Sequence, residues 1–309
     1  MGETSLVAPT LLAGNFGLMA SAQGTAGITR VGIVGSGIMG AGMAEVAARA
    51  GFEVVLRSRS TDTAAATVGA LAAGLAKQVT KGKLTADEAD AVVAQVTATA
   101  DLDALADCDL VIESVVEDLA VKQELFTDLD KRVRDGALLA TNTSTLPVVE
   151  LAVRTGRPEA VCGIHFFNPA PMMPLVEIVR PLTASDETIE RATAFATACG
   201  KQPVQVLDRA GFIVNALLFP YLNNAVRMLE QGTASMADID TAMKGGCNFP
   251  MGPFALLDLV GLDTSLAILE ALHAEFADPN YAPVPTLKRL VAAGRLGRKS
   301  GRGFYDYKK

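Results

Sequence analysis

Residues 165–177 read His-Phe-Phe-Asn-Pro-Ala-Pro-Met-Met-Pro-Leu-Val-Glu, and they hold the side chains of this chain best suited to moving a proton. Histidine titrates close to neutral pH and serves as a general acid and base. The chain has two histidines. His165 lies in an apolar run from Val161 to Phe167. His273 sits in a helical stretch with no motif around it and is read as structural or surface. A carboxylate, Glu177, stands beyond a bend made by Pro169, Pro171 and Pro174. A strand that turns through these prolines and returns as Pro-Leu-Val-Glu-Ile-Val brings Glu177 back to His165. A buried acid at one ring nitrogen orients the imidazole and stabilises the imidazolium.

A second constellation supplies what the histidine would work with. Gly35-Ser36-Gly37-Ile38-Met39-Gly40 follows the short β run Arg30 to Val34 and opens an Ala-rich helix, the setting in which a GxGxxG turn binds a dinucleotide. The first glycine makes the tight turn, the second lets the backbone approach a pyrophosphate, and the third allows close helix–strand packing. The next strand, Glu53 to Arg57, ends where an Asp or Glu ordinarily binds the ribose 2′-hydroxyl of NAD. This chain instead has Arg57-Ser58-Arg59-Ser60. Guanidinium groups pair well with phosphate, so the pattern predicts NADP(H) in preference to NAD(H).

The elements that must position these residues alternate. Strands are expected over 30–35, 53–57, 109–115, 137–141, 161–167, 175–179 and 203–207, separated by helices over 38–50, 62–80 and 119–133 and a capping box at Thr85 to Glu88. Strands alternating with helices define an α/β, doubly wound sheet. Beyond Asp208-Arg-Ala-Gly211 only helical patterning remains, over 212–230, 235–244, 253–258, 262–277 and 285–293. The expected division is an extension over 1–28, a dinucleotide-binding domain over 29–208 and a helical domain over 209–309. Residues 1–29 contain no Lys or Arg, unlike a secretory or import signal, and are read as a flexible extension or an early start. The net charge of −7 excludes a general nucleic-acid binder, and four scattered cysteines indicate neither a metal site nor a disulfide framework. With no apolar run of membrane-spanning length, a cytoplasmic setting is expected.

The segments GSGIMGAGMAEVAARAG (35–51), ESVVEDLAVKQELF (113–126), NTSTLP (142–147), HFFNPAPMMPLVEIV (165–179), GFIVNALLFPYLNNA (211–225), MGPFALLDLVGLD (251–263) and GRKSGRGFYDY (297–307) together resemble the L-3-hydroxyacyl-CoA dehydrogenases, in particular their bacterial 3-hydroxybutyryl-CoA branch. The resemblance spans residues 30–307. It implies a Rossmann-type domain followed by an all-helical domain that forms a homodimer. It also implies reversible hydride transfer between a nicotinamide and C3 of an acyl-CoA. By the resemblance, His165 is the acid/base and Glu177 its partner, Ser144 contacts the substrate oxygen near the nicotinamide, and Asn215 donates to the C3 oxygen or the thioester carbonyl. Where many relatives have arginine after that asparagine, this chain has Ala216. Glu117, Lys122, Asn142, Asn168 and Lys299 match positions near the cofactor, Asn142 also orienting the Ser144 turn, and Lys81 and Lys83 fall where the family places cationic residues for CoA. Two other readings of the scaffold are a dehydrogenase of a free hydroxy or sugar acid, such as L-gulonate, and a dinucleotide-binding protein without catalysis. The joint presence of Ser144, His165, Glu177 and Asn215 argues against the last.

Overall fold

The computed structural model describes residues 26–307, so the expectation for residues 1–28 falls almost wholly outside the described residues. Eight strands form one sheet in the order β3-β2-β1-β4-β5-β6-β7-β8. These are β1 (Arg30–Val34), β2 (Glu53–Arg57), β3 (Val96–Thr99), β4 (Leu110–Glu113), β5 (Leu138–Thr141), β6 (Val161–Phe166), β7 (Leu175–Arg180) and β8 (Gln202–Leu207). The helices of this half are α1 (Ile38–Arg49), α2 (Thr61–Thr80), α3 (Ala86–Ala94), α4 (Leu119–Arg132), α5 (Val148–Ala152) and α6 (Asp186–Ala198). The central strands β4, β5 and β6 are buried along their whole length, as parallel strands covered on both faces must be. One apolar core lies under α1, α2, α3 and α6, and a second lies on the opposite face under α4 and α5.

Two features of the topology place the site. The strand order reverses between β1 and β4, which run parallel side by side. Ligands of open α/β sheets bind in the crevice outside the strand ends at such a switch point. Farther along, β7 returns antiparallel to β6, with His165 directly opposite Glu177. The bend between them carries a cis Asn168–Pro169 bond. Its carbonyls at Ala170 and Met173 accept from the buried Lys201 ammonium at 2.6 and 2.9 Å.

Three elements lie outside the sequence expectations. β3 is a four-residue edge strand, Val-Thr-Ala-Thr, too short and polar for its alternation to register. α5 is a little over one turn. α6 is longer. Its signal was present in the Ser185 cap, whose side chain accepts from the Thr188 amide, and in the buried Ile189, Ala192, Phe195 and Ala196.

After β8 the chain is helical: α7 (Val214–Glu230), α8 (Met236–Cys247), α9 (Pro253–Val260), α10 (Leu262–Phe276) and α11 (Pro285–Ala292) pack around a third core that includes Phe219, Leu222, Phe254, Leu257, Leu269 and Leu287. The tail folds back onto this bundle. Buried Asp258 accepts from the Phe304 and Tyr305 amides, each at 2.9 Å. Asp240 caps α9 through the Phe254 and Ala255 amides and accepts from the Tyr305 hydroxyl at 3.0 Å. Cys108, Cys162, Cys199 and Cys247 are all free thiols. Among the described residues no cluster could hold a metal ion and no helix is long and apolar enough to cross a membrane.

The amino edge of the sheet is tied by Asp109, just before β4. It accepts from the Thr29 amide, the Thr29 hydroxyl and the Arg30 amide at 2.7–2.9 Å and pairs with Arg134. Burial by itself raises the pKa of this carboxyl, but the three donors and the Arg134 guanidinium outweigh burial and hold it below the ordinary aspartate range. A carboxyl with a depressed folded-state pKa contributes stability above the unfolded value of about 3.9, and the contribution is lost as pH falls through the lower folded value. Asp109→Asn is therefore expected to cost about 1–3 kcal/mol at pH 7. In thermal or urea unfolding followed against pH, the gap between variant and parent narrows below about pH 4. A gap that stays constant with pH rules out the ionised carboxylate as its source.

Candidate active site

At the switch point, each glycine of the turn has a separate job. Gly35 has φ +122°, and a Cβ there would lie 2.2 Å from the Ser114 carbonyl oxygen. At Gly40 a Cβ would lie 1.9 Å from the Gly35 carbonyl oxygen. Both positions therefore need glycine for the protein's own packing. Gly37 differs, because a Cβ there would meet nothing within 4 Å. That open space lies over the start of α1, whose N-cap has no side-chain hydrogen bond and whose first turn carries no acid. First-turn amides are unsatisfied within a helix, and the macrodipole adds partial positive charge. The turn thus has room and free donors for the pyrophosphate of a dinucleotide.

At the end of β2, Ser58 is buried and sits in a chain of hydroxyls: 2.7 Å from Ser36 Oγ and 2.6 Å from Thr63 Oγ1, which lies 2.9 Å from Ser60 Oγ. Arg57 turns toward the sheet edge, its Nε donating to the Ala100 carbonyl at 3.2 Å. The expectation that both arginines serve a cofactor is thereby reduced, since Arg57 is partly engaged. Arg59 is exposed and has no polar partner among the described residues.

The proton-moving residues converge as the bend predicts. His165 Nδ1 lies 2.8 Å from Glu177 Oε2, and both residues are buried. An ionised carboxylate can only accept, so Nδ1 carries the proton in this pair and Nε2 faces the other way. Nε2 lies 3.0 Å from Ser144 Oγ. The imidazole is flanked by Phe167 and Phe212, with ring centroids 4.6 and 5.4 Å away. Glu177 uses its second oxygen, Oε1, on the Ile213 and Val214 amides, each at 3.0 Å. These amides start α7, so the carboxylate that orients His165 also anchors the helix that carries buried Asn215. Asn142 Oδ1 accepts from the Phe166 amide at 2.8 Å and ties the Ser144 turn to β6. Asn168 is exposed just beyond β6.

A cleft of about 440 Å³ joins these parts; Met39, Val115, Glu117, Asn142 and Ser144 line one wall, and Asp263, Thr264, Ala267 and Ile268 of α10 line the other. The α10 residues were not anticipated. Lys299 reaches this wall indirectly, its Nζ 2.6–2.7 Å from the Asp263 carboxylate. Lys122, expected near the cofactor, also lines this cleft and is held there by two carboxylates. It is 1% exposed, and its ammonium lies 2.9 and 3.0 Å from the two oxygens of Glu113 and 2.9 Å from Glu117 Oε2. The two Glu113 oxygens lie side by side and occupy one side of the ammonium, with Glu117 on another. Burial pushes the Glu117 carboxyl up, but the Lys122 charge, the Thr143 hydroxyl and the Ser144 amide prevail, and it lies below the ordinary glutamate range. Lys81 and Lys83 stand in the exposed turn after α2, about 30 Å along that helix from its start, and the structure does not bring them to the cleft.

The cleft runs from Met39 of the glycine turn to Ser144, whose hydroxyl meets the histidine, and a dinucleotide turn joined in this way to an acid/base histidine is the layout of an oxidoreductase that moves a hydride and a proton together. Residues 30–209 match the family model for the NAD binding domain of 3-hydroxyacyl-CoA dehydrogenase, and residues 211–307 match that for its C-terminal domain. The chain belongs to the 3-hydroxyacyl-CoA dehydrogenase family. A 3-hydroxybutyryl-CoA dehydrogenase of Mycobacterium tuberculosis is 49% identical over 282 residues, 91% of this chain and 99% of that protein. A crystal structure of M. tuberculosis FadB2 superposes with a TM-score of 0.89 at 49% identity, covering 91% of this chain and 99% of that one. The (S)-3-hydroxybutyryl-CoA dehydrogenase PaaH1 of Ralstonia eutropha gives 0.89 at 41% identity, covering 91% and 100%.

The glycine geometry separates folding from cofactor binding. Gly40→Ala, which drives a methyl into the Gly35 carbonyl, is expected to lower thermal stability by several kcal/mol. Gly37→Ala should change stability by about 1 kcal/mol or less while weakening dinucleotide binding at least about tenfold. Paired melting and fluorescence titrations test this, and equal effects from the two substitutions would contradict it.

Proposed function

We propose that this chain catalyses the reversible oxidation of a short-chain (S)-3-hydroxyacyl-CoA to the 3-ketoacyl-CoA, with 3-hydroxybutyryl-CoA and acetoacetyl-CoA as the couple and NADP(H) as the preferred carrier. The observation that carries the reading is the line Ser144 Oγ, His165 Nε2, His165 Nδ1, Glu177 Oε2, with gaps of 3.0 and 2.8 Å, beside the dinucleotide cradle. When bound, the nicotinamide accepts or supplies the hydride at C3. In the oxidising direction neutral His165 takes the C3 hydroxyl proton on Nε2, and Glu177 stabilises the resulting imidazolium through Nδ1–H. In the reducing direction protonated His165 returns that proton to the developing alkoxide. Ser144 then donates to the same oxygen, and Asn215 adds a donor from the α7 side. Met39, Val115, Ala267 and Ile268 keep the cleft apolar, which strengthens these electrostatic contacts.

The preference for NADP(H) is supported by the end of β2. Exposed Ser60 offers a hydroxyl there, and exposed Arg59 has no polar partner among the described residues. A 2′-phosphate would find a positive charge and a hydroxyl donor on this edge. Self-association through the helical half is supported by an apolar stripe on α7. Leu217 is 72% exposed, and Tyr221 and Met228 follow on the same face. Large exposed apolar side chains grouped in this way mark an interaction surface.

One kinetic matrix tests the activity: NADPH and NADH against 3-ketoacyl-CoAs of increasing chain length, for the parent, His165→Ala and Arg59→Ala. The parent should favour acetoacetyl-CoA with NADPH, and His165→Ala should lose roughly 10²–10⁴-fold in kcat with either carrier. Arg59→Ala should lose its preference for NADPH, about tenfold in kcat/KM, while activity with NADH stays near parental. Preference for NADH in the parent would reject the carrier assignment alone, whereas His165→Ala at parental rate would reject the mechanism. The association surface is checked by light scattering. A parental mass near twice that of one chain, falling to one chain in Leu217→Glu, is the expected result.

A further inference from the structure

We infer that Glu113 is a positioning residue for the reaction, and that through Lys122 and Glu117 it fixes the turn that presents Ser144 to the substrate oxygen. This rests on the role given to Ser144 above. Glu113 ends β4, is 0% exposed and contacts neither the cleft nor His165. Burying a carboxylate is costly unless its oxygens are fully engaged. Here they are: Oε1 accepts from the Val115 amide at 2.6 Å, Oε2 accepts from the Thr141 hydroxyl at 2.7 Å, and both face the Lys122 ammonium.

These contacts lead to one place. Thr141 is the last residue of β5, and its oxygen, while donating to Glu113, accepts from the Thr143 amide at 3.2 Å. Lys122 passes to Glu117 Oε2 at 2.9 Å. Glu117 Oε1 in turn accepts from the Thr143 hydroxyl and, at 3.1 Å, from the Ser144 amide. Thr143 Oγ1 then accepts from the Thr145 and Leu146 amides. The two carboxylates thus grip the turn at Thr143 and Ser144, one through β5 and the other through the Thr143 hydroxyl and the serine's own amide. Glu117 stands at the cleft wall with its side chain 41% exposed, and Lys122 holds the oxygen, Oε2, that Thr143 and Ser144 leave free. Lys122, which also lines the cleft, is drawn toward β4 by Glu113. A displacement of the donor by about 1 Å is enough to cost two orders of magnitude in rate.

A buried ion cluster that only stabilises the fold makes a different prediction from one that places Ser144. In Glu113→Gln, kcat should fall about 10–100-fold, with the KM for the nicotinamide cofactor within about threefold of the parent. In the Ser144→Ala background the same substitution should change kcat by less than about threefold, because the group being placed is already gone. Multiplicative losses, or a folded Glu113→Gln with parental kcat, would overturn the inference. If Glu113→Gln does not fold, Thr141→Val carries the same comparison, since it removes one grip on the turn and buries no unpaired charge. Parental kcat in Ser144→Ala would remove the role of Ser144 itself and this inference with it. Loss in Ser144→Ala without loss in Glu113→Gln would remove only the inference.

Discussion

The Glu177 carboxylate divides its two oxygens between two halves of the molecule. Oε2 holds the Nδ1–H of His165, and Oε1 holds the first amides of α7. A charge this deeply buried has to be satisfied on every side, and here the satisfying groups are the reactive ring and the entry to the helical half. Asp208 and Glu275 support the same junction from nearby, through the Val148 and Val149 amides and the Ala210 amide respectively. The α10 wall of the cleft and Asn215 therefore stand at a fixed distance from the sheet. The proton acceptor and the start of α7 share a single group. A change at Glu177 cannot be read as a change in basicity alone, because it also frees the start of α7.

Around that group, buried charge is used repeatedly to hold backbone. Asp258 and Asp240 fasten the tail and so bring Lys299 to Asp263 at the cleft. Lys201 gathers carbonyls of the proline bend. Asp109 joins the starts of β1 and β4. In each case a side chain with several donors or acceptors takes up main-chain groups that no helix or strand could satisfy. The turns and tails that carry function therefore gain the order of regular structure without its geometry.

The sequence made local patterns legible and left contacts across elements hidden. The glycine turn, the His165–Glu177 pair and the helical half followed from short signals: a motif in context, two residues bracketing a proline bend, and the disappearance of strand patterning after residue 208. β3 escaped because four residues of mixed polarity at a sheet edge carry almost no periodicity. α6 was missed although its cap and apolar spacing were present. The motif marks Lys122 as a residue near the cofactor, but it does not show the carboxylates that hold its ammonium. Its partner Glu113 closes an apolar strand nine residues earlier, and no helical or strand period links the two. Asp263 and Thr264 could be assigned to the cleft only once the packing of α10 was known.

The antiparallel return of β7 separates the acid/base pair from the length of the bend between its members. His165 and Glu177 face each other because of the ladder register, which also pairs Gly163 with Val179 and Phe166 with Val176. Residues 168–174 close the hairpin, with Ala170 packed in the core and the Ala170 and Met173 carbonyls held by Lys201. Long loops add little closure entropy per residue, and surface connections tolerate insertion better than strands do. Evolution or design can therefore change the exposed rim of this bend, at Asn168 and Met172, without moving the histidine relative to its acid. A single residue inserted within either strand would turn one partner to the opposite face of the sheet. The scaffold thus has a place where its specificity can vary and, a few residues away, one where it cannot.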